Sequence, residues 1–218
     1  MPAEAPAAPS PEQLSYWYGI QFGDSLKSFG VGGELKYDAL ARGIKDGVHG
    51  KTLSGAEQTQ IKAHVGAAMQ EMVKHNQESA REFLERNGKE KGVVTTPSGL
   101  QYRILSPGDS NAAAVAPTDE VTVNYRGKLL DGSEFDSSYA RGLPMTFHVN
   151  GVIHGWQEAL VLMKPGAKWR LFVPPDLAYG PVPRPGIPGG SLLTFEVELL
   201  SVNAGAQRNG PPPAPTSK

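Results

Sequence analysis

Val152-Ile153-His154-Gly155-Trp156 is the stretch from which the fold of this chain can be read. Ile153 and Trp156 stand about one helical turn apart. Leu160 and Met163 continue the same apolar face until Lys164-Pro165-Gly166 breaks it. The apolar repeats on either side have a period of two instead. Leu100, Tyr102 and Ile104 form one inward row, Val121, Val123 and Tyr125 a second, and Met145, Phe147 and Val149 a third. Trp169, Leu171 and Val173 form a fourth, and Leu193, Phe195, Val197 and Leu199 a fifth. One amphipathic helix among about five antiparallel strands predicts an α+β domain whose sheet wraps over the helix, leaving ligand space between the two layers.

The same stretch sits at the centre of a set of aromatics whose spacing makes sense if they meet at one pocket. Upstream lie Tyr125-Arg126-Gly127 and Asp131-Gly132-Ser133-Glu134-Phe135-Asp136-Ser137-Ser138; downstream lie Leu177-Ala178-Tyr179-Gly180 and Thr194-Phe195-Glu196-Val197. The set holds no cysteine nucleophile, no metal-ligand cluster and no phosphate loop. What it describes is an apolar bowl with one carboxylate, Asp136, at its edge. Such a bowl binds an apolar ring and changes the electrostatics around it, but it does not attack a substrate. The bland reading of Trp156 is a core residue, and that of Asp136 an exposed turn carboxylate beside two serines.

Residues 11–88 read as helical. Ser10, Pro11 and Gln13 make an N-cap, a first-turn proline and a capping-box partner. The turns that follow carry Leu14, Trp17, Tyr18, Ile20 and Phe22, too much apolar surface for one small helix to hide. A second helix runs from Tyr37 to His49, with Tyr37, Leu40, Ile44 and Val48 on one face and Gly50 as its stop. Ser54-Gly55-Ala56-Glu57 opens a long helix bearing Ile61, Val65, Met69, Met72 and Val73 on one stripe, then Ala80, Phe83 and Leu84, and Asn87-Gly88 ends it. About 30 residues at ~1.5 Å each give a rod on the order of 45–50 Å. Segments shorter than ~40 residues rarely build a stable core alone, so residues 11–50 are expected to interlock with a second copy, with the long helix as a spacer. A compact three-helix domain is the alternative. The chain then divides into a tail (1–10), a helical dimerisation segment (11–54), a connecting helix and hinge (55–92), an α+β domain (93–202) and a second tail (203–218). Both tails are rich in Ala, Pro, Gly and Ser and read as disordered.

Composition sets the outer limits. The 218 residues carry a formal net charge of -1, which gives no electrostatic footprint for nucleic acid or an anionic membrane. No apolar run reaches the roughly 20 residues of a membrane span. Cysteine is absent, which excludes disulfides and thiol chemistry and suits an oxidising compartment. The start, Met1-Pro2-Ala3-Glu4-Ala5-Pro6, lacks the features of a signal peptide. Among the histidines, His64 and His75 read as solvated, His148 should point outward opposite Phe147, and His154 borders the pocket motif. No metal and no cofactor is expected.

Tyr125, Phe135-Asp136-Ser137-Ser138, Val152-Ile153-x-Gly155-Trp156, Ala178-Tyr179-Gly180 and Leu193-x-Phe195-x-Val197-Glu198-Leu199 together resemble the FKBP-type peptidyl-prolyl cis-trans isomerases over about residues 93–202. The upstream helices, with Pro97-Ser98-Gly99-Leu100-Gln101-Tyr102 at the junction, are similar to the bacterial Mip and FkpA branch, V-shaped homodimers whose N-terminal helices intertwine. The resemblance implies an FKBP-like sheet and a rotamase that assists protein folding as a homodimer through residues 11–50. Its partners would be proline-containing polypeptides and the macrolides rapamycin and tacrolimus. The branch also implies a bacterial periplasmic, outer-membrane-associated or secreted protein. The alternative function is a chaperone or proline-segment binding module with little turnover, including a virulence-associated surface protein.

By the same resemblance, the substrate proline is expected on the indole of Trp156. Tyr125, Phe135, Val152, Ile153 and Phe195 would form walls, with Met145, Phe147 and Ile187 completing the binding set. Asp136 is expected at the rim near Tyr125, and Tyr179 is expected to donate its hydroxyl to the substrate carbonyl. Two positions depart from the commonest family pattern. Met145 stands where an aromatic is frequent, and Arg184 stands where histidine is frequent, in a proline-rich flap, residues 181–190. An X-Pro bond rotates slowly because resonance raises a barrier of ~18–20 kcal/mol, while cis and trans differ by only about 0.5–1 kcal/mol. The twisted transition state has lost resonance and its carbonyl is less polar. A dry apolar pocket therefore favours it over the planar amide with no nucleophile at all.

Overall fold

The structure, a computed structural model, describes residues 8–30, 33 and 35–204. The tails expected at 1–10 and 203–218 lie largely outside the described residues. The chain divides into two compact units, one formed by the chain up to Lys74 together with Val182–Gly189, the other by His75–Pro181 and the chain from Gly190 onward.

The first unit holds helices α1 (Pro11–Ser28) and α2 (Tyr37–Val48) and the start of α3 (Gly55–Asn87). Their ends follow from side-chain chemistry. The Gln13 amide donates to Ser10 Oγ at 3.1 Å and the Ser10 amide to Gln13 Oε1 at 2.9 Å, so two orphan amides of α1 are satisfied reciprocally. Ser54 and Glu57 repeat the arrangement at the start of α3, at 3.3 and 3.0 Å. α2 stops at Gly50, whose φ of +77° is open to glycine without a Cβ penalty. Only Ser28 of α1 is buried and no residue of α2 is. The apolar side chains that drew notice in the sequence lie open, with Tyr16 at 73% and Trp17 at 54% exposure. In the loop Val182–Gly189, Arg184 and Ile187 exchange backbone hydrogen bonds of 2.9 and 2.8 Å.

The second unit is built on a seven-stranded antiparallel sheet: β1 (Val93–Thr95), β2 (Gln101–Pro107), β3 (Glu120–Lys128), β4 (Glu134–Ser137), β5 (Met145–His148), β6 (Ala167–Val173) and β7 (Leu193–Asn203). The order is β1-β2-β6-β7-β3-β4, with β5 also paired to β3. Buried residues alternate along β3 and along β7 as far as Leu199, so Val121, Val123, Tyr125, Phe195, Val197 and Leu199 all reach the core. Two helices interrupt the strands: α4 (Ser138–Arg141) and α5 (His154–Leu162). α5 contributes Trp156, Ala159 and Leu160 to the core. The C-terminal end of α3 is tied to the sheet. Gln101 Nε2 donates to the Leu84 carbonyl at 2.9 Å, Asn87 Nδ2 donates to Gln101 Oε1 at 2.8 Å, and Phe83 meets Phe172 at 5.6 Å between centroids.

The fold departs from the expectations above at four points. The described residues form seven strands, because β1 and β4 are too short to show a period. A second helix, the four-residue α4, interrupts the strands. Ile104 is 48% exposed, since the register of β2 shifts between Ile104 and Ser106 and ends the inward row begun by Leu100. Val149 is buried but lies in a 3-10 turn (Val149–Gly151), not in a strand.

Candidate active site

Trp156 occupies the centre of the site because α5 turns one apolar stripe onto the sheet. Its indole is 4% exposed and meets three rings edge-on: Tyr125 at 5.2 Å and 89°, Phe195 at 5.2 Å and 81°, and Phe147 at 6.0 Å and 88°. Phe135 in turn stands perpendicular to Phe195 at 5.6 Å. The walls therefore rise at right angles from a flat floor. Edge-to-face pairs of this kind each contribute about 0.5–1.5 kcal/mol beyond area burial, which also locks the floor in place. Two glycines allow the close approach. A Cβ on Gly155 would lie 2.5 Å from Val173 Cγ1, and one on Gly127 would lie 2.7 and 2.9 Å from Phe135 and Phe195 carbons.

The cavity above the indole measures about 430 Å³ and is lined by Tyr125, Phe135, Asp136, Phe147, Val152, Ile153, Trp156, Tyr179 and Phe195, with Gly151, His154 and Ala178. That volume is ordinary for a small-ligand site. Met145 and Ile187 are not in this lining. Met145 pairs with Val123 on β3, and the side chain that reaches the cavity from β5 is Phe147, two residues on and on the same strand face. The buried indole N–H of Trp156 has no hydrogen-bond partner among the described residues. A second cavity, about 300 Å³, lies among Arg126, Lys128, Arg170, Thr194 and Glu196, where Arg170 pairs with Glu196 and Arg126 with Glu134.

The rim is polar and closed on itself. Tyr125 donates its hydroxyl to Asp136 Oδ2 at 2.5 Å. Arg141 donates to Asp136 Oδ1 through Nη1, and to the Tyr125 hydroxyl at 2.6 Å through Nη2. The guanidinium also lies 5.5 Å from the centre of the Tyr125 ring. Arg141 is the residue that sequence reasoning missed. It sits at the end of α4, started by Ser137 as N-cap and stopped by Gly142 in the left-handed region. Ser138 Oγ accepts from the Tyr125 amide at 2.9 Å, so the two serines after Asp136 hold the turn while Asp136 faces the pocket.

Electrostatics follow from this triangle. Burial pushes the Tyr125 hydroxyl up to about 12, and its hydrogen bond to Asp136 adds to the rise. Burial alone would raise the Asp136 carboxyl, but donors from Tyr125 and Arg141 and the Arg141 charge outweigh it and hold the group below its ordinary value. The site thus keeps a protonated phenol and an ionised, paired carboxylate over a wide pH range. Among the described residues no group of three or more His, Asp or Glu is arranged to hold a metal ion. The chemistry available is binding of an apolar ring in a stiff aromatic cage beside fixed dipoles.

Comparison with known proteins agrees with this geometry. A family described as FKBP-type peptidyl-prolyl cis-trans isomerase matches residues 111–200, and one described as the domain amino terminal to FKBP-type peptidyl-prolyl isomerase matches residues 11–104. An FKBP-type 22 kDa peptidyl-prolyl cis-trans isomerase of Escherichia coli is 43% identical over 197 residues, covering 87% of this chain and 94% of that protein. The Coxiella burnetii peptidyl-prolyl cis-trans isomerase Mip is 37% identical over 216 residues, covering 92% and 90%. The crystal structure of FkpA from Escherichia coli superposes with a TM-score of 0.64 at 39% identity, covering 90% of this chain and 99% of that one.

Proposed function

The chain belongs to the FKBP-type peptidyl-prolyl cis-trans isomerases, and we propose that it turns X-Pro bonds of other proteins in the Trp156 cage, as a homodimer that assists their folding. The observation that carries the site assignment is the floor-and-wall geometry around the indole, with a rim whose polar groups are already satisfied by one another. In this reading the proline ring lies on Trp156 between Phe135, Phe147, Val152, Ile153 and Phe195. Tyr179 donates to a substrate carbonyl, and Asp136 with Tyr125 shapes the field at the rotating amide. Apolar walls strip water from the amide and disfavour its polar planar form, lowering the barrier by ~1.36 kcal/mol for each tenfold in rate. The macrolides rapamycin and tacrolimus would occupy the same cage. The test is nitrogen-resolved NMR of the three tryptophan indoles during titration with a Leu-Pro peptide. The Trp156 indole signal should shift while those of Trp17 and Trp169 stay; a shift confined to Trp17 or Trp169 would remove the site from this pocket.

The homodimer is supported by the large apolar side chains left exposed on α1, Tyr16, Trp17, Tyr18, Ile20 and Phe22, and on α2, Tyr37, Ile44 and Val48. So many large apolar side chains left open on two helices mark an interaction site, and a second copy of the same helices is the partner proposed. A cell-envelope location is supported by the absence of cysteine and by a relative named outer membrane protein MIP from Legionella longbeachae, 38% identical over 206 residues.

A further inference from the structure

Four polar side chains line the aromatic cage: Tyr125, Asp136, His154 and Tyr179. Asp136 and Tyr125 are committed to each other and to Arg141, so the carboxylate is matched by a guanidinium inside the rim itself. His154 differs from them in position. It is the first residue of α5, it is exposed to solvent, and it lines the cavity between the wall residue Ile153 and the crowded Gly155. A proline ring seated on the indole leaves its chain by both ends of the ring. The side chain next to the proline then passes over the exposed part of the lining, which His154 forms with Gly151 and Tyr179.

We infer that His154 is a specificity-determining residue, selecting the side chain adjacent to the substrate proline and favouring a carboxylate over an ammonium. The inference rests on the seating of proline in the cage proposed above. An imidazole either donates a hydrogen bond or carries positive charge, and never carries negative charge. The charged and titratable groups facing it across the cavity are Tyr125, Asp136 and Tyr179, with Arg141 behind Asp136. On its own helix, Glu158 lies one turn further and accepts from Ser98 Oγ at 2.6 Å, which directs that carboxylate toward the 97–99 turn. Since the Asp136 carboxylate is already offset by Arg141, a glutamate beside the proline meets the donor or charge of His154 without a competing anion in the lining. A lysine there finds at most the single acceptor nitrogen of a neutral imidazole, and is repelled by a charged one.

The experiment measures kcat/KM of the full-length protein at low ionic strength with three tetrapeptides bearing Glu, Leu or Lys before proline. The proteins compared are wild type, His154→Lys, His154→Gln and His154→Glu. The Glu-to-Lys ratio should be highest for His154→Lys, then wild type, then His154→Gln, and lowest for His154→Glu. Each full charge step should shift it about three- to tenfold, the size expected of unit charges interacting across a wet rim. Ratios equal within twofold across all four proteins, with the wild type still turning over the Leu peptide, would overturn the role of His154 and leave the pocket assignment intact. Absence of turnover of the Leu peptide by the wild type would instead overturn the pocket reading and this inference with it.

Discussion

Asp136 ties the electrostatics of the pocket rim to the stability of the fold. Its carboxyl is held below the ordinary value, so the sign of its linkage is fixed: the network contributes stability above the unfolded carboxylate pKa of about 3.9, and that contribution is lost as pH falls through the folded value. Asp136→Asn should therefore melt below wild type at pH 7, with the gap narrowing as the pH is lowered into the acid range; a gap that does not change with pH would deny the network its charge. Turnover of an uncharged Leu-Pro peptide should stay flat from about pH 5 to 9, because the phenol of Tyr125 is pushed up to about 12 and Asp136 is already ionised throughout. Gly155 offers a packing test. Gly155→Ala places a methyl 2.5 Å from Val173 Cγ1, and overpacking of this kind costs about 1–3 kcal/mol. The melting temperature should fall by several degrees, and Gly155→Ala combined with Val173→Ala should be more stable than the sum of the two single changes predicts. Most of the cage was legible in the sequence, since Tyr125, Phe135, Trp156, Tyr179 and Phe195 sit in motifs with fixed spacing. Arg141 was not: nothing in Tyr139-Ala140-Arg141 marks a guanidinium that folds back five residues onto Asp136. Phe147 and not Met145 is the β5 residue in the cavity lining, because position in a motif says which strand face a residue occupies, but not which of two neighbours on that face reaches the cavity.

Among the elements, the helix ends were the most readable. Ser10 with Gln13, and Ser54 with Glu57, are local pairs whose chemistry does not depend on the rest of the fold. Ser10→Ala should cost about 1 kcal/mol of local stability, seen as faster amide exchange over the first turn of α1 with the sheet unaffected. β1, β4 and α4 escaped the sequence reading because runs of three or four residues are too short to display a period. Their existence is decided by tertiary pairing, as in the register Arg126 with Ser137 and Gly127 with Asp136 that brings the carboxylate to the pocket. For α1, the exposed face yields a direct forecast. Ile20→Glu removes no buried contact within the chain, so helix content should persist, yet it sets a charge in the middle of the proposed dimer face. Sedimentation equilibrium should report the mass of two chains for wild type and of one for the variant. A wild type that sediments as one chain would end the homodimer proposal.

At the scale of the whole molecule the chain forms two compact units. The cage lies in the unit that begins at His75, and the open apolar helices lie in the other. The Ile20→Glu variant should then keep its turnover of a short Leu-Pro peptide within about twofold, while losing much of its effect on refolding of a protein whose slow phase is proline-limited, a step of roughly 10–100 s uncatalysed. The central claim is that a stiff aromatic cage with a self-satisfied polar rim rotates X-Pro bonds without a nucleophile. The measurement that tests it most directly is NMR exchange between cis and trans forms of a Phe-Pro peptide, with wild type and Asp136→Ala, each with and without rapamycin. The account predicts exchange far above the uncatalysed rate, suppressed by rapamycin and reduced about tenfold or more by the substitution. Exchange no faster than the peptide alone, from a protein shown to be folded, would contradict it.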